Sequence, residues 1–171
     1  MNRISRLNIL ILISILLQTS CSDIPVFERE QAFSQIFDIN DVNSSIILEA
    51  NPYLANHSFQ RPTFSVTLKN LSNEYLIFAF NYGIQIYHYD EDRDKWIVIA
   101  DRLRYVSDHD KVIGPFDGEQ PSLALVLFQP DLELFDYPFD IRVTVIGNVY
   151  LAESGMGRQV GAFIDLHLDP N

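Results

Sequence analysis

The residues best placed to do chemistry are a run of acids, four scattered histidines and one thiol. Asp90-Glu91-Asp92-Arg93-Asp94 sets carboxylates at alternate positions, and Asp101 stands at the twelfth place from Asp90. Alternation of this kind lets a loop bring several hard oxygens onto one cation. Lys95, however, occupies the sixth place, where such loops need glycine, and Trp96–Ala100 reads as strand. The run therefore reads first as a charged hairpin tip that discourages edge pairing, with Asp90, Asp92 and Asp94 as weak candidates for calcium. His57, His88, His109 and His167 show no helical spacing, and Asp108-His109-Asp110 would need a distant partner to hold zinc. No Gly-x-Ser-x-Gly step is present. Ser154-Gly155-Met156-Gly157 reads as a hairpin turn in which glycine supplies positive φ. No phosphate-cradling loop opens a helix, which speaks against nucleotide binding. Nothing selects a pair of acids for glycoside cleavage. No catalytic residue is assigned and no cofactor is expected.

The thiol is Cys21, the single cysteine of the 171 residues. It cannot form an internal disulfide, so the fold must depend on its core. Its setting is informative. Arg3 and Arg6 precede the apolar run Leu7–Leu17, which is broken only by Asn8 and Ser14, and Gln18-Thr19-Ser20-Cys21-Ser22-Asp23 follows. A positive start, a short apolar stretch and small residues at its end make a signal peptide. The run is shorter than the roughly 20 apolar residues that span a bilayer. This segment resembles the precursors of bacterial lipoproteins, whose signals end in an aliphatic residue, two small residues and the cysteine that receives diacylglycerol. Thr19, Ser20 and Cys21 match the last three places; Gln18 stands where an aliphatic residue is usual, with Leu17 one place earlier. The resemblance covers residues 1–21 and implies lipidation of Cys21. Cleavage near Ser20 or Ser22 would instead release a soluble secreted protein.

Removing residues 1–20 takes away Arg3 and Arg6 and no acid, leaving 10 basic against 23 acidic residues and a net charge of -13. Such a surface repels phosphate backbones, so nucleic acid is not an expected partner. It equally argues against docking on anionic lipid through a basic patch.

Three regions follow: a signal peptide at 1–20, a lipidated cysteine and linker at 21–43, and a domain at 44–169. Within the linker, Glu28–Phe37 can make a short helix with Phe33, Ile36 and Phe37 on one side. From Ser44 onward the dominant period is two. The predicted strands are Ser45–Ala50, Pro62–Asn70, Tyr75–Phe80, Gly83–Tyr89, Lys95–Ala100, Ser122–Phe128, Phe139–Val149 and Gly157–Asp169. Phe64, Val66, Leu68, Trp96, Val143, Ile164 and Leu166 are expected inside; Arg142 and Thr144 fall on the other face of their strand. About eight short strands with turn residues between them predict an all-β, immunoglobulin-like antiparallel β-sandwich. Phe64–Asn70, its polar turn, an apolar strand and Tyr82–Val98 also resemble bacterial immunoglobulin-like domains of secreted proteins, which implies a fold and no catalytic group.

The function expected is that of a non-catalytic, membrane-anchored surface lipoprotein of the bacterial cell envelope. Its sandwich would bind an envelope protein or a glycan, or act as a spacer. The alternatives are a carboxylate-dependent or calcium-assisted hydrolase, and an inhibitor presenting a loop such as Arg102–Phe116.

Overall fold

A computed structural model describes residues 26–35, 37, 42–51, 63–103, 109–131, 139–153 and 155–168. Cys21 and His57, and with them the signal peptide, lie outside these residues. Among the described residues one helix, α1 (Val26–Ser34), precedes nine strands: β1 (Ile46–Ala50), β2 (Phe64–Asn70), β3 (Leu76–Phe78), β4 (Gln85–Asp90), β5 (Lys95–Ile99), β6 (Lys111–Ile113), β7 (Ser122–Phe128), β8 (Phe139–Val149) and β9 (Gln159–Leu168). The strands form two antiparallel sheets, so the chain is an all-β sandwich. The smaller sheet runs β1-β2-β7.

The larger sheet is organised by β8. Along one side it pairs with β9 from Phe139↔Leu168 to Asn148↔Gln159. Along the other it takes β4 and β3 in succession, at Gln85↔Thr144 to Tyr87↔Arg142 and at Leu76↔Val149 to Phe78↔Gly147. β5 and β6 then extend this sheet from β4 and β3 respectively. The sheets also meet at their edges, through the bridges Val42↔Gly161 and Asp101↔Pro130.

Between β3 and β4 the chain makes a 3-10 turn, Phe80–Gly83, in which Asn81, Tyr82 and Gly83 all take left-handed φ of 51°, 58° and 61°. The apolar run Tyr75–Phe80, predicted as a single strand, is thus strand only in part. Its ends, Tyr75 and Phe80, are exposed, and only Leu76–Phe78 pairs. Gly83 is required here: a Cβ would sit 2.6 Å from the backbone oxygen of Ile146, and left-handed φ is cheap only for glycine.

The alternation of apolar residues fills the space between the sheets. Val66, Leu68, Val126, Val143, Val145 and Val160 have no exposed surface. Burying each such side chain is worth roughly 1.5–3 kcal/mol, which lets the domain dispense with a disulfide. Phe64, Ile164 and Leu166 pack against this core while partly buried. Trp96 does not join it. It lies on the opposite face of β5, in a second cluster with Phe33, Phe37 and Tyr87. β6 lies within the stretch proposed as an inhibitory loop, and its Ile113 is buried.

One buried polar residue fixes the β2–β3 turn. Asn70 Nδ2 donates to the carbonyls of Glu74 (2.8 Å) and Gly114 (2.7 Å). Its Oδ1 accepts from the amide and hydroxyl of Ser72 at 2.9 and 2.8 Å. A buried amide costs little only when satisfied in this way.

Candidate functional site

Helix α1 lies along the outer face of the larger sheet. A nine-residue helix is marginal alone, so its stability must come from what it covers. Arg29 stands at the β4–β5 turn, where its Nη2 pairs with Glu91 Oε1 at 2.7 Å and its carbonyl accepts the Trp96 indole N–H at 3.3 Å. Phe33 is 4% exposed, with its ring edge-on to Tyr87, Trp96 and Phe163. Phe37 packs on Phe33 and Tyr87. Burial pushes the Tyr87 phenol above its ordinary pKa, and its hydroxyl donates to Gln85.

Beneath the helix lies a cation. Arg142 is 1% exposed. Its Nε and Nη2 donate to the two carboxylate oxygens of Asp165 at 2.6 and 2.7 Å, and Nη2 also reaches Glu30 Oε1 at 2.6 Å. Arg142 and Asp165 are direct cross-strand partners on β8 and β9, so the sheet register sets the two-pronged pair and the helix supplies the third charge. Three rings surround the guanidinium: Phe163 at 4.0 Å, Trp96 at 4.6 Å and Phe33 at 4.8 Å from its carbon. Burial works to lower the pKa of Arg142, but the Asp165 and Glu30 carboxylates outweigh it and hold the pKa above its ordinary value. Nη1 is buried without a hydrogen-bond partner among the described residues, in a cage whose ring faces attract positive charge. Such a cage can hold a ligand cation; here the chain's own guanidinium fills it.

Two hollows flank this centre. The first, about 230 Å³, is mostly apolar and lies between α1 and β8–β9, walled by Phe33, Phe37, Val42, Val145, Ala162 and Phe163. The second, about 650 Å³, is polar and lies by the β4–β5 turn. It gathers Asp90, Glu91, Asp92, Asp140 and Asp165 with His88 and His167. His167 Nδ1 lies 2.8 Å from Asp140 Oδ1, both side chains being well exposed, and His88 Nδ1 lies 2.9 Å from the Asp140 carbonyl. A histidine beside a carboxylate can move a proton. No serine, threonine or cysteine lines this hollow among the described residues.

No family model, curated protein or solved structure matches this chain.

The calcium candidates do not converge. Asp90 Oδ1 accepts from the Arg93 amide at 3.2 Å, Asp94 accepts the Tyr89 hydroxyl and takes left-handed φ, and Asp92 is exposed. These carboxylates shape the β4–β5 turn, and among the described residues no three His, Cys, Asp or Glu side chains are arranged to hold a metal. His109 is exposed and does not neighbour His88 or His167 in either hollow. Gly155 takes φ of 82° in the β8–β9 turn. The group that sequence reasoning missed is Glu30, Arg142 and Asp165. Its one trace in the sequence is Arg142, a charge in the middle of a long apolar strand.

Proposed function

We propose that the mature chain is a lipoprotein of the bacterial cell envelope, anchored through lipid on Cys21, whose sandwich is a non-catalytic binding or spacer domain. One observation carries the reading: the single cysteine of the chain stands at the end of a signal-type segment, where a lipoprotein precursor needs it. The domain's polar centre supports it. Arg142, Glu30 and Asp165 are spent on fastening a helix to a sheet, and catalysis needs converging groups left available to a substrate. An envelope protein or a glycan suits such a scaffold, because loops recognise while sheets stay rigid.

Cys21→Ala tests the anchor. The variant is expected in the soluble fraction, whereas the native chain stays with membranes and its intact mass carries the lipid. A native chain of unmodified mass overturns the reading in favour of a secreted soluble protein.

The hydrolase reading rests on the carboxylates gathered in the polar hollow, Asp90, Asp92 and Asp140 among them. Millimolar calcium that raises the melting temperature strongly, with the shift lost in Asp92→Ala, would favour it, because a ligand stabilises only the state it binds.

A further inference from the structure

We infer that α1 is a fixed mount that sets which end of the sandwich faces the membrane: the β4–β5 turn lies toward the bilayer and the β8–β9 hairpin away from it. The inference rests on the lipid anchor at Cys21 and goes beyond it, because an anchor alone leaves a domain free to tumble.

The direction follows from the seating of the helix. Arg29 meets Glu91 and the Tyr89 ring at the β4–β5 turn. One turn later Phe33 meets Tyr87 and Phe163, and beyond it Phe37 still touches Tyr87. Val42 then bridges to Gly161, partner of Ile146 on β8. The chain therefore climbs β8 from its Phe139 end toward its Val149 end, and Val26 starts at the β4–β5 turn. Val26 is the fifth residue after Cys21, a reach of at most about 18 Å for any chain conformation. β8 has eleven residues and rises about 33 Å along its length. The anchor can thus touch one end of the domain and not the other.

The seating fixes the helix on the sheet because it joins three kinds of contact. Phe33 is buried among rings, Glu30 pairs with a cation that is itself 1% exposed, and the Trp96 indole holds the helix backbone. At the far end Tyr75, Tyr150, Leu151 and Met156 are exposed. The Tyr150 amide donates to the Tyr75 carbonyl and so joins the first two. The mount turns this apolar end outward.

Lipid occupies the only native thiol, so Asp92→Cys and Met156→Cys each give one labelling site, at opposite ends and both exposed. The full lipidated chain is placed in vesicles of phosphatidylethanolamine and phosphatidylglycerol that carry a headgroup acceptor dye, and energy transfer from each label is measured. Transfer is expected to be at least threefold stronger from position 92 than from position 156. Adding Phe33→Ala, which removes the buried ring, should narrow that ratio toward one. Equal transfer from the two sites, or stronger transfer from 156, on a chain whose mass carries the lipid overturns the mount alone. A chain without the lipid overturns the mount and the anchor together.

Discussion

Removing the carboxylates around Arg142 should cost more than removing Arg142 itself. The asymmetry comes from exposure. The guanidinium is 1% exposed, whereas the Glu30 and Asp165 side chains are 34% and 53% exposed. In Glu30→Gln/Asp165→Asn the guanidinium stays buried with no counter-charge, a situation that costs about 3–5 kcal/mol. In Arg142→Met the two carboxylates simply regain water. The thioether fills similar space among Phe33, Trp96 and Phe163, and sulfur–ring contacts of about 0.3–1.5 kcal/mol replace part of the lost cation–ring attraction. The cost of desolvating a cation disappears as well, so Arg142→Met should stay within about 1.5 kcal/mol of the native chain. Urea unfolding followed by far-ultraviolet circular dichroism reads both variants. A fall in the slope m of the double-acid variant would mark α1 leaving the sheet, since less surface would then remain to expose. Equal losses in the two variants, or a larger loss in Arg142→Met, would refute the reasoning. It would mean that pairing, and not desolvation, dominates this centre.

Gly83→Ala should destabilise the domain by more than about 2 kcal/mol, since left-handed φ costs a non-glycine residue about 1–3 kcal/mol and a Cβ would press on the Ile146 carbonyl. Gly118→Ala, also at positive φ but with open space around it, should cost less in the same urea titration. Asp117 accepts the amides of Gln120 and Glu119, which hold its carboxyl below the ordinary aspartate pKa. A group depressed in the folded state contributes stability that is present above its unfolded pKa and lost as pH falls through the folded one. Nuclear magnetic resonance titration should place Asp117 below a model aspartate, and Asp117→Asn should slightly weaken the acid dependence of stability between those two values.

The sequence announced strands wherever alternation ran long enough. Phe139–Val149 has the bounds its alternation suggests, because eleven residues give the period several repeats, and Ser122–Phe128 has those of its apolar run. Lys111–Ile113 passed unnoticed, since three residues carry no period. Tyr75–Phe80 misled because apolarity is blind to backbone handedness; Asn81-Tyr82-Gly83 held the hint, in asparagine and glycine, that the chain turns there. The site was legible only by halves. Alternation put Arg142 and Thr144 on the face away from the core, as they are, but gave no sign that this face is buried. That depends on a helix over a hundred residues earlier in the chain, and on the pairing of Glu30 with Arg142, which no local pattern encodes. Trp96 is expected in the core; the strand places it under α1 instead.

That placement gives the protein a built-in optical reporter. Trp96 is the only tryptophan, and it sits where the helix closes on the sheet, its indole N–H engaged by the Arg29 carbonyl and its ring beside Tyr89 and Phe33. Tyrosines across the domain can pass excitation to it, so its emission colour tracks one local event: whether the seam is shut or wet. A partner that grips the sandwich without disturbing the helix would leave the spectrum untouched. One that pries the seam open would shift it toward the red, with no label attached.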